Sequence, residues 1–90
     1  MTSSEPTLAL RKEDLIWQVV EGDIVAFDFP SGVYFTTNRT GALLWERLRT
    51  GATRGELVQA LGDRYKITPE RARWAVDDFV SQLSARGLLE

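Results

Sequence analysis

Apolar and polar positions divide the chain into a β-rich first part and a helical second part. Three segments rich in β-branched and aromatic residues, each bounded by turn signals, predict strands at 15–20, 23–29 and 32–37. In the second segment, alternation places Ile24 and Ala26 on one face and Val25 and Phe27 on the other. Gly22 supplies a positive φ for a tight turn. Strands joined by tight turns predict an antiparallel three-stranded sheet.

From residue 38 onward, apolar positions recur at helical spacing. Asn38 can cap a first helix that ends at Gly51, the run at 53–56 has the spacing of a capping box, and Thr68 precedes a proline that opens a third helix. The residues expected to anchor the first helix beneath the sheet are Leu44, Trp45 and Leu48. The inward stripe of the third helix is expected at Ala72, Val76, Phe79 and Leu83.

The order of elements predicts one small α+β domain. A three-stranded antiparallel sheet is followed by three helices, an arrangement like that of a winged helix-turn-helix. The chain has 90 residues, which is the length of a single domain. Residues 1–7 are mostly small and polar and are expected to form a disordered tail, so the folded domain is predicted over 8–90.

The composition argues against catalysis and against a bound metal or cofactor. The chain has no histidine and no cysteine, which removes the commonest general base, nucleophile and transition-metal ligands. Asp77 and Asp78 are adjacent, and neighbours on a helix point about 100° apart, so they form a poor acid–base pair. We therefore expect no catalytic residue, no metal site and no cofactor.

Nucleic acid and membranes are also unfavourable partners. Arg71 and Arg73 lie where a recognition helix would read DNA, but Asp77 and Asp78 follow one turn later and the net charge is −2. DNA binding therefore stays an alternative, although no stripe of basic residues supports it. The polar start of the chain is not a secretory signal, and no segment is apolar enough to span a bilayer, so a cytoplasmic location is expected.

Peptide binding is favoured by the third strand. Residues 32–37 carry no lysine, proline or charge that would blunt an exposed edge. A strand at the edge of a sheet can accept an extended peptide through its free backbone groups. The backbone from Val33 to Thr36 would then supply the hydrogen bonds. Pairing of the same edge with a second copy of the chain is the alternative.

The third helix offers two candidate flanks. Trp74 falls opposite the inward stripe, where an indole is a recognition surface, a contact with another copy, or a half-buried packing residue. One flank carries Ala75, Asp78 and Gln82 with Trp74 beyond them. The other carries Arg73, Asp77 and Val80, of which Val80 can instead widen the inward stripe. Helix geometry does not choose between the flanks. The preferred candidates are Trp74 and Asp78, with Val80 in addition.

The helical half resembles the PqqD family, whose members are small domains that recognise leader segments of ribosomally synthesised, post-translationally modified peptides. The resemblance covers roughly residues 15–90. The positions that carry it are Asn38, Gly41-Ala42, Leu44-Trp45, Gly51, Thr53, Glu56-Leu57, Tyr65, Phe79, Leu83 and Gly87-Leu88. The Asn-x-Thr-Gly-Ala run at 38–42 is most similar to stand-alone members of bacterial lasso-peptide pathways.

The resemblance implies a protein that binds and presents a peptide and is not itself an enzyme. In the family, the leader is held as an added strand beside the third strand, in a groove shared with the third helix. The implied partners are the precursor's leader peptide and a leader peptidase or other modifying enzyme. The candidate peptide-binding residues are Val33, Tyr34, Phe35, Thr36, Trp74, Asp78 and Val80.

Overall fold

Three antiparallel strands are followed by three helices, which confirms the predicted α+β fold. The structure is a computed structural model that describes residues 5–90. Its elements are β1 (Leu15–Val20), β2 (Asp23–Asp28), β3 (Val33–Thr37), α1 (Arg39–Thr50), α2 (Arg54–Tyr65) and α3 (Pro69–Ala85). Each strand and each helix lies within a residue or two of its predicted range.

The sheet has the order β1-β2-β3, with β2 in the centre. Glu21 and Gly22 both have positive φ (53° and 89°), the signature of a two-residue type I′ turn. This turn sets Val20 opposite Asp23 and fixes the β1–β2 register. Ile24 and Ala26 are buried on the face that meets the helices, as the alternation predicts.

Helix α1 anchors the helical layer beneath the sheet. Its buried residues are Gly41, Leu44, Trp45 and Leu48. The Trp45 ring is fully buried, stacks on Phe35 of β3 at 5.9 Å and meets the edge of Trp17 of β1 at 5.8 Å, between ring centroids. An aromatic residue of α1 thus holds both outer strands to the helices, which confirms its expected role as an anchor.

All three helix starts use the predicted caps. The Asn38 side chain accepts from the Gly41 amide at 2.9 Å, Thr53 and Glu56 form a reciprocal capping box, and Thr68 caps α3. The caps fix where β3 stops and α1 starts.

Among the helices of residues 5–90, none has the length and apolarity needed to cross a membrane.

The two ends of the described chain lie side by side. Leu10 bridges Leu89, and the amide of Arg11 donates to the carbonyl of Leu88 at 2.8 Å. The Arg11 side chain also donates to the Asp28 carboxylate and to the Gly87 carbonyl. Hydrogen bonds from Ser31 and Arg11 hold the pKa of the Asp28 carboxyl below its usual value.

Part of the predicted disordered tail, residues 1–4, lies outside the described residues. Glu5 accepts from the amide of Gly55 at 3.0 Å, which places it at the start of α2. Leu8 bridges Ala52. The boundary between a tail at 1–7 and a domain at 8–90 stays a prediction.

Gly41 permits the close approach of α1, β3 and α3. A Cβ atom at this position would lie 2.7 Å from the Cβ of Thr37 and 3.0 Å from the ring of Phe79. We expect Gly41→Ala to destabilise the domain by about 1–3 kcal/mol, because overpacking outweighs the higher helix propensity of alanine. Thermal unfolding of Gly41→Ala measures this directly.

The matched control is Gly62→Ala in α2. A Cβ atom at Gly62 meets nothing within 4 Å, so this variant gains helix propensity without a clash, worth about 1 kcal/mol. The two glycine-to-alanine changes should therefore move the midpoint in opposite directions. An equal rise in both would show that the tight packing at Gly41 does not constrain the fold.

Candidate peptide-binding site

Strand β3 forms one edge of the sheet. It pairs with β2 on one side only, within the described residues 5–90. Its other side therefore presents backbone groups that no neighbouring strand of the sheet uses. An unblunted edge of this kind is a template for adding a further strand.

The hydrogen-bond pattern of β2 shows which residues bond toward which neighbour. In an antiparallel pair, bonded and non-bonded positions alternate. The amide of Phe29 donates toward β1, to the carbonyl of Asp14 at 3.1 Å. The carbonyl of Asp28 points the other way and accepts from the amide of Gly32, just before β3, at 2.8 Å. Asp28 and every second residue before it therefore bond toward β3.

The register transfers this alternation to β3. Asp28 is opposite Val33, and Phe35 follows two residues later in the same phase. Val33 and Phe35 therefore direct their amides and carbonyls inward, to β2. Tyr34 and Thr36 direct theirs outward. Two of the four predicted backbone positions consequently form the free edge.

A groove of about 340 Å³ runs beside this edge, between β3 and α3. Its wall on the helix side is formed by three residues spaced four apart on α3: Trp74, Asp78 and Gln82. Phe35 and Phe79 lie at its base, with ring centroids 6.3 Å apart. The groove therefore combines an apolar floor with a free backbone edge.

The lining of the groove is mixed: six of its twelve residues are polar, namely Thr36, Thr37, Asn38, Thr40, Asp78 and Gln82. The side-chain amide of Gln82 donates to the Asp78 carboxylate at 2.9 Å. Arg86, just beyond the end of α3, places its guanidinium 5.2 Å from the centre of the Phe35 ring. Asp78 is exposed and bonded to a neutral amide, so its charge is available to a cationic side chain of a ligand.

Trp74 separates this groove from a neighbouring cavity of about 620 Å³ at the α2–α3 junction. Its side chain is 71% exposed, the highest value among the exposed large apolar residues. Tyr65 and Ile67 line the neighbouring cavity on its far side. A large aromatic side chain in this position offers apolar contact to a ligand in either space.

The structure brings most of the predicted site residues together. Phe35, Thr36, Trp74 and Asp78 line the same groove. The flank of α3 that carries Trp74 and Asp78 lines this groove, whereas Asp77, on the other flank, forms an ion pair with Arg54 of α2 at 2.8 Å. That the flank with Trp74 and Asp78 holds the peptide stays a prediction.

Three predicted residues do not line the groove, namely Val33, Tyr34 and Val80. The side chain of Tyr34 lies on the opposite face of the sheet, with Ile16 and Phe27. Val80 is only 3% exposed and belongs to the core, so its inclusion is corrected: it widens the inward stripe of α3. Val33 is exposed but directs its backbone to β2. Sequence reasoning placed Phe79 in the core only, and it did not single out Arg86. Gln82 lines the groove; helical spacing places it on the same flank as Asp78, but it is not among the candidate site residues.

Comparison with family models gives a match over residues 23–89 to Coenzyme PQQ synthesis protein D (PqqD). The chain belongs to the PqqD family. Comparison with curated proteins gives no significant match.

Two solved structures are similar to this PqqD-family protein over nearly its whole length. TbiB1 in complex with the TbiA(beta) leader peptide is 22% identical, with a TM-score of 0.82 over 91% of this chain and 94% of that one. Lasso peptide synthetase B1 complexed with the leader peptide is 25% identical, with a TM-score of 0.80 over 92% of this chain and 96% of that one. Both of those proteins hold a leader peptide.

Proposed function

We propose that this protein binds the leader segment of a ribosomally synthesised precursor peptide as a fourth strand beside β3. The observation that carries the proposal is a free strand edge lying directly beside a groove with an aromatic floor. The likeness to two proteins in complex with leader peptides supports it. The protein then presents the remainder of the precursor to a processing enzyme, with a lasso-peptide leader peptidase as the favoured partner.

Backbone and side chains contribute separately to binding. The amides and carbonyls of Tyr34 and Thr36 set the peptide's position along the edge. Alternate peptide side chains then point into the groove, where Phe35 and Phe79 favour apolar groups. Asp78 on the wall favours a lysine or arginine in the same segment. Such a site acts by holding the peptide, and it requires no catalytic group of its own.

The alternatives have less support. A DNA reader would need a continuous basic surface on α3, but the exposed residues that follow Arg71 and Arg73 include the carboxylates of Asp77 and Asp78 and no basic residue within α3. Self-association through β3 would occupy the edge that the leader requires. Sedimentation velocity at several concentrations distinguishes a stable dimer from a monomer with a free edge.

Trp74→Ala tests the proposal most directly. We expect at least about tenfold weaker binding of a labelled leader peptide, because the indole supplies large apolar contact at the groove. The fold should be unchanged, since the side chain is 71% exposed. Fluorescence anisotropy with a labelled leader peptide from a candidate lasso-peptide precursor gives the affinity, and circular dichroism checks the fold.

Neighbouring residues of α3 provide matched controls. Arg73→Ala changes an exposed residue outside the groove lining and should leave the affinity unchanged. Asp78→Asn should weaken binding at low salt only, while Asp77→Asn should not affect it. Equal affinities of wild type and Trp74→Ala would remove Trp74 from the site, and absence of leader binding by the wild type would refute the proposed function.

A further inference from the structure

The face of the sheet turned away from the helices is apolar and uncovered. We call it the outer face and define it by Ile16, Val25, Phe27, Phe29 and Tyr34. Ile16, Phe29 and Tyr34 are 59%, 54% and 66% exposed. Phe27 joins the exposed aromatic rings, with its centroid 5.0 Å from that of Phe29 and 4.8 Å from that of Tyr34. A contiguous apolar patch of this kind marks an interaction surface.

The strands and their turns carry only acidic charged residues. Residues 13–38 contain five aspartates and glutamates and no lysine or arginine, so all 11 basic residues of the chain lie elsewhere. Asp28, one of the five, is neutralised by Arg11. The other four are exposed at the two ends of the β1–β2 hairpin: Glu13, Asp14, Glu21 and Asp23. Lys12 adjoins the first pair, and the Arg39 side chain lies against Gly22 between the second pair, so the outer face is an aromatic patch whose border is acidic in balance.

We infer that the outer face docks a folded protein whose own apolar patch is bordered by lysine and arginine. The identity of this partner rests on the proposed function: it is the enzyme that processes the bound precursor. Apolar contact would supply the affinity, and the charges would supply orientation and speed of association.

The outer face is continuous with the peptide site. Tyr34 contributes its side chain to the outer face and its backbone to the free edge of β3. A peptide added at that edge extends the sheet, so every second peptide residue projects onto the outer face beside Tyr34. A partner seated there touches the domain and the peptide together, which is the geometry that presentation of a substrate requires.

Other occupants are disfavoured by the acidic border. Two copies related by a twofold axis would place their carboxylates against one another. Anionic lipid surfaces and nucleic acids carry the same sign of charge. A basic-bordered protein surface is the complementary choice.

The test uses the full chain, the labelled leader, and the purified processing enzyme that acts on the same precursor. A double variant, Ile16→Thr with Phe29→Ser, removes exposed apolar surface, and Glu21→Lys with Asp23→Lys reverses the border charge. Each should weaken enzyme binding about tenfold or more. Leader affinity should stay within about twofold of wild type, because neither pair touches the β3 edge. Thermal unfolding verifies that both variants fold.

Two controls separate this inference from the proposed function. Asp63→Lys reverses an exposed acidic residue of α2 and should leave enzyme binding unchanged. Trp74→Ala should lose leader binding while retaining direct binding of the enzyme in the absence of leader. Loss of wild-type leader binding would refute the proposed function, whereas the inference fails on its own if leader binding holds and enzyme binding does not respond to either outer-face variant. A wild-type dimer that Ile16→Thr with Phe29→Ser converts to monomer would also overturn it, in favour of a second copy.

Discussion

Thr36→Pro should abolish most of the affinity for the leader while leaving the domain folded. The Thr36 amide points away from β2, so proline removes a donor that the peptide needs and no donor that the sheet uses. Its ring also occupies the path of the added strand. We expect a loss of about 2 kcal/mol, or roughly 30-fold in affinity, from the missing bond and the unpaired peptide carbonyl.

Val19→Pro on the opposite edge is the matched control. Val19 lies opposite Ile24, a residue in the phase that bonds to β3, so its own amide also points away from β2. Leader affinity should match wild type in this variant. Isothermal titration calorimetry gives both affinities, and circular dichroism shows whether each sheet is intact. If both prolines weaken binding equally, the peptide does not add beside β3.

Trp45→Ala should produce the largest loss of stability among single substitutions of the anchors. The side chain is fully buried and packs against Phe35 and Trp17, so truncation leaves a cavity that connects both outer strands to α1. Such changes cost about 3–5 kcal/mol. A domain of this size is typically stable by about 5–13 kcal/mol, so a substantial fraction of its stability is lost. Urea denaturation measures the free energy of unfolding.

Trp45→Phe and Trp74→Ala complete this test. The Nε1 of Trp45 is buried and has no hydrogen-bond partner within residues 5–90, so phenylalanine loses volume but no bond and should cost much less than alanine. Trp74→Ala should leave the unfolding free energy nearly unchanged, since most of its ring is in solvent. Stability losses of similar size at Trp45 and Trp74 would contradict the division between an anchor and a binding surface.

Local chemistry made the fold predictable from sequence. Each helix is capped by a side chain that accepts from an amide three residues later, at Asn38, Thr53 and Thr68. These helix boundaries therefore depend on neighbouring residues and little on distant ones. Strand alternation likewise assigned Ile24 and Ala26 to the buried face. The two-residue turn at Glu21 and Gly22 also fixes which residues of β2 bond to β1 and, by alternation, which bond to β3. The residues of β3 whose backbone points outward could therefore have been predicted from the turn.

The groove could be predicted only in part. Its existence between β3 and α3 was implied by the family resemblance, but its helix wall depends on how α3 is rotated about its axis. That rotation is set by contacts among residues far apart in sequence, such as Phe79 with Phe35 and Asp77 with Arg54. Val80 was included for this reason, because a few tens of degrees of rotation separate a groove residue from a core residue.

The pairing of the two chain ends has a consequence for the order of folding. Leu10 meets Leu89, and Ala9 accepts from the amide of Glu90 at 2.8 Å, so these contacts enclose nearly the whole chain. Closing a loop costs more entropy as it lengthens, so this junction forms after the strands and helices and opens before them. The N-terminal segment bonds to Leu48 and Ala52, to Asp28 through Arg11, and to the residues beyond α3, and none of these residues belongs to β3. Fraying of the ends therefore leaves the free edge of β3 in place.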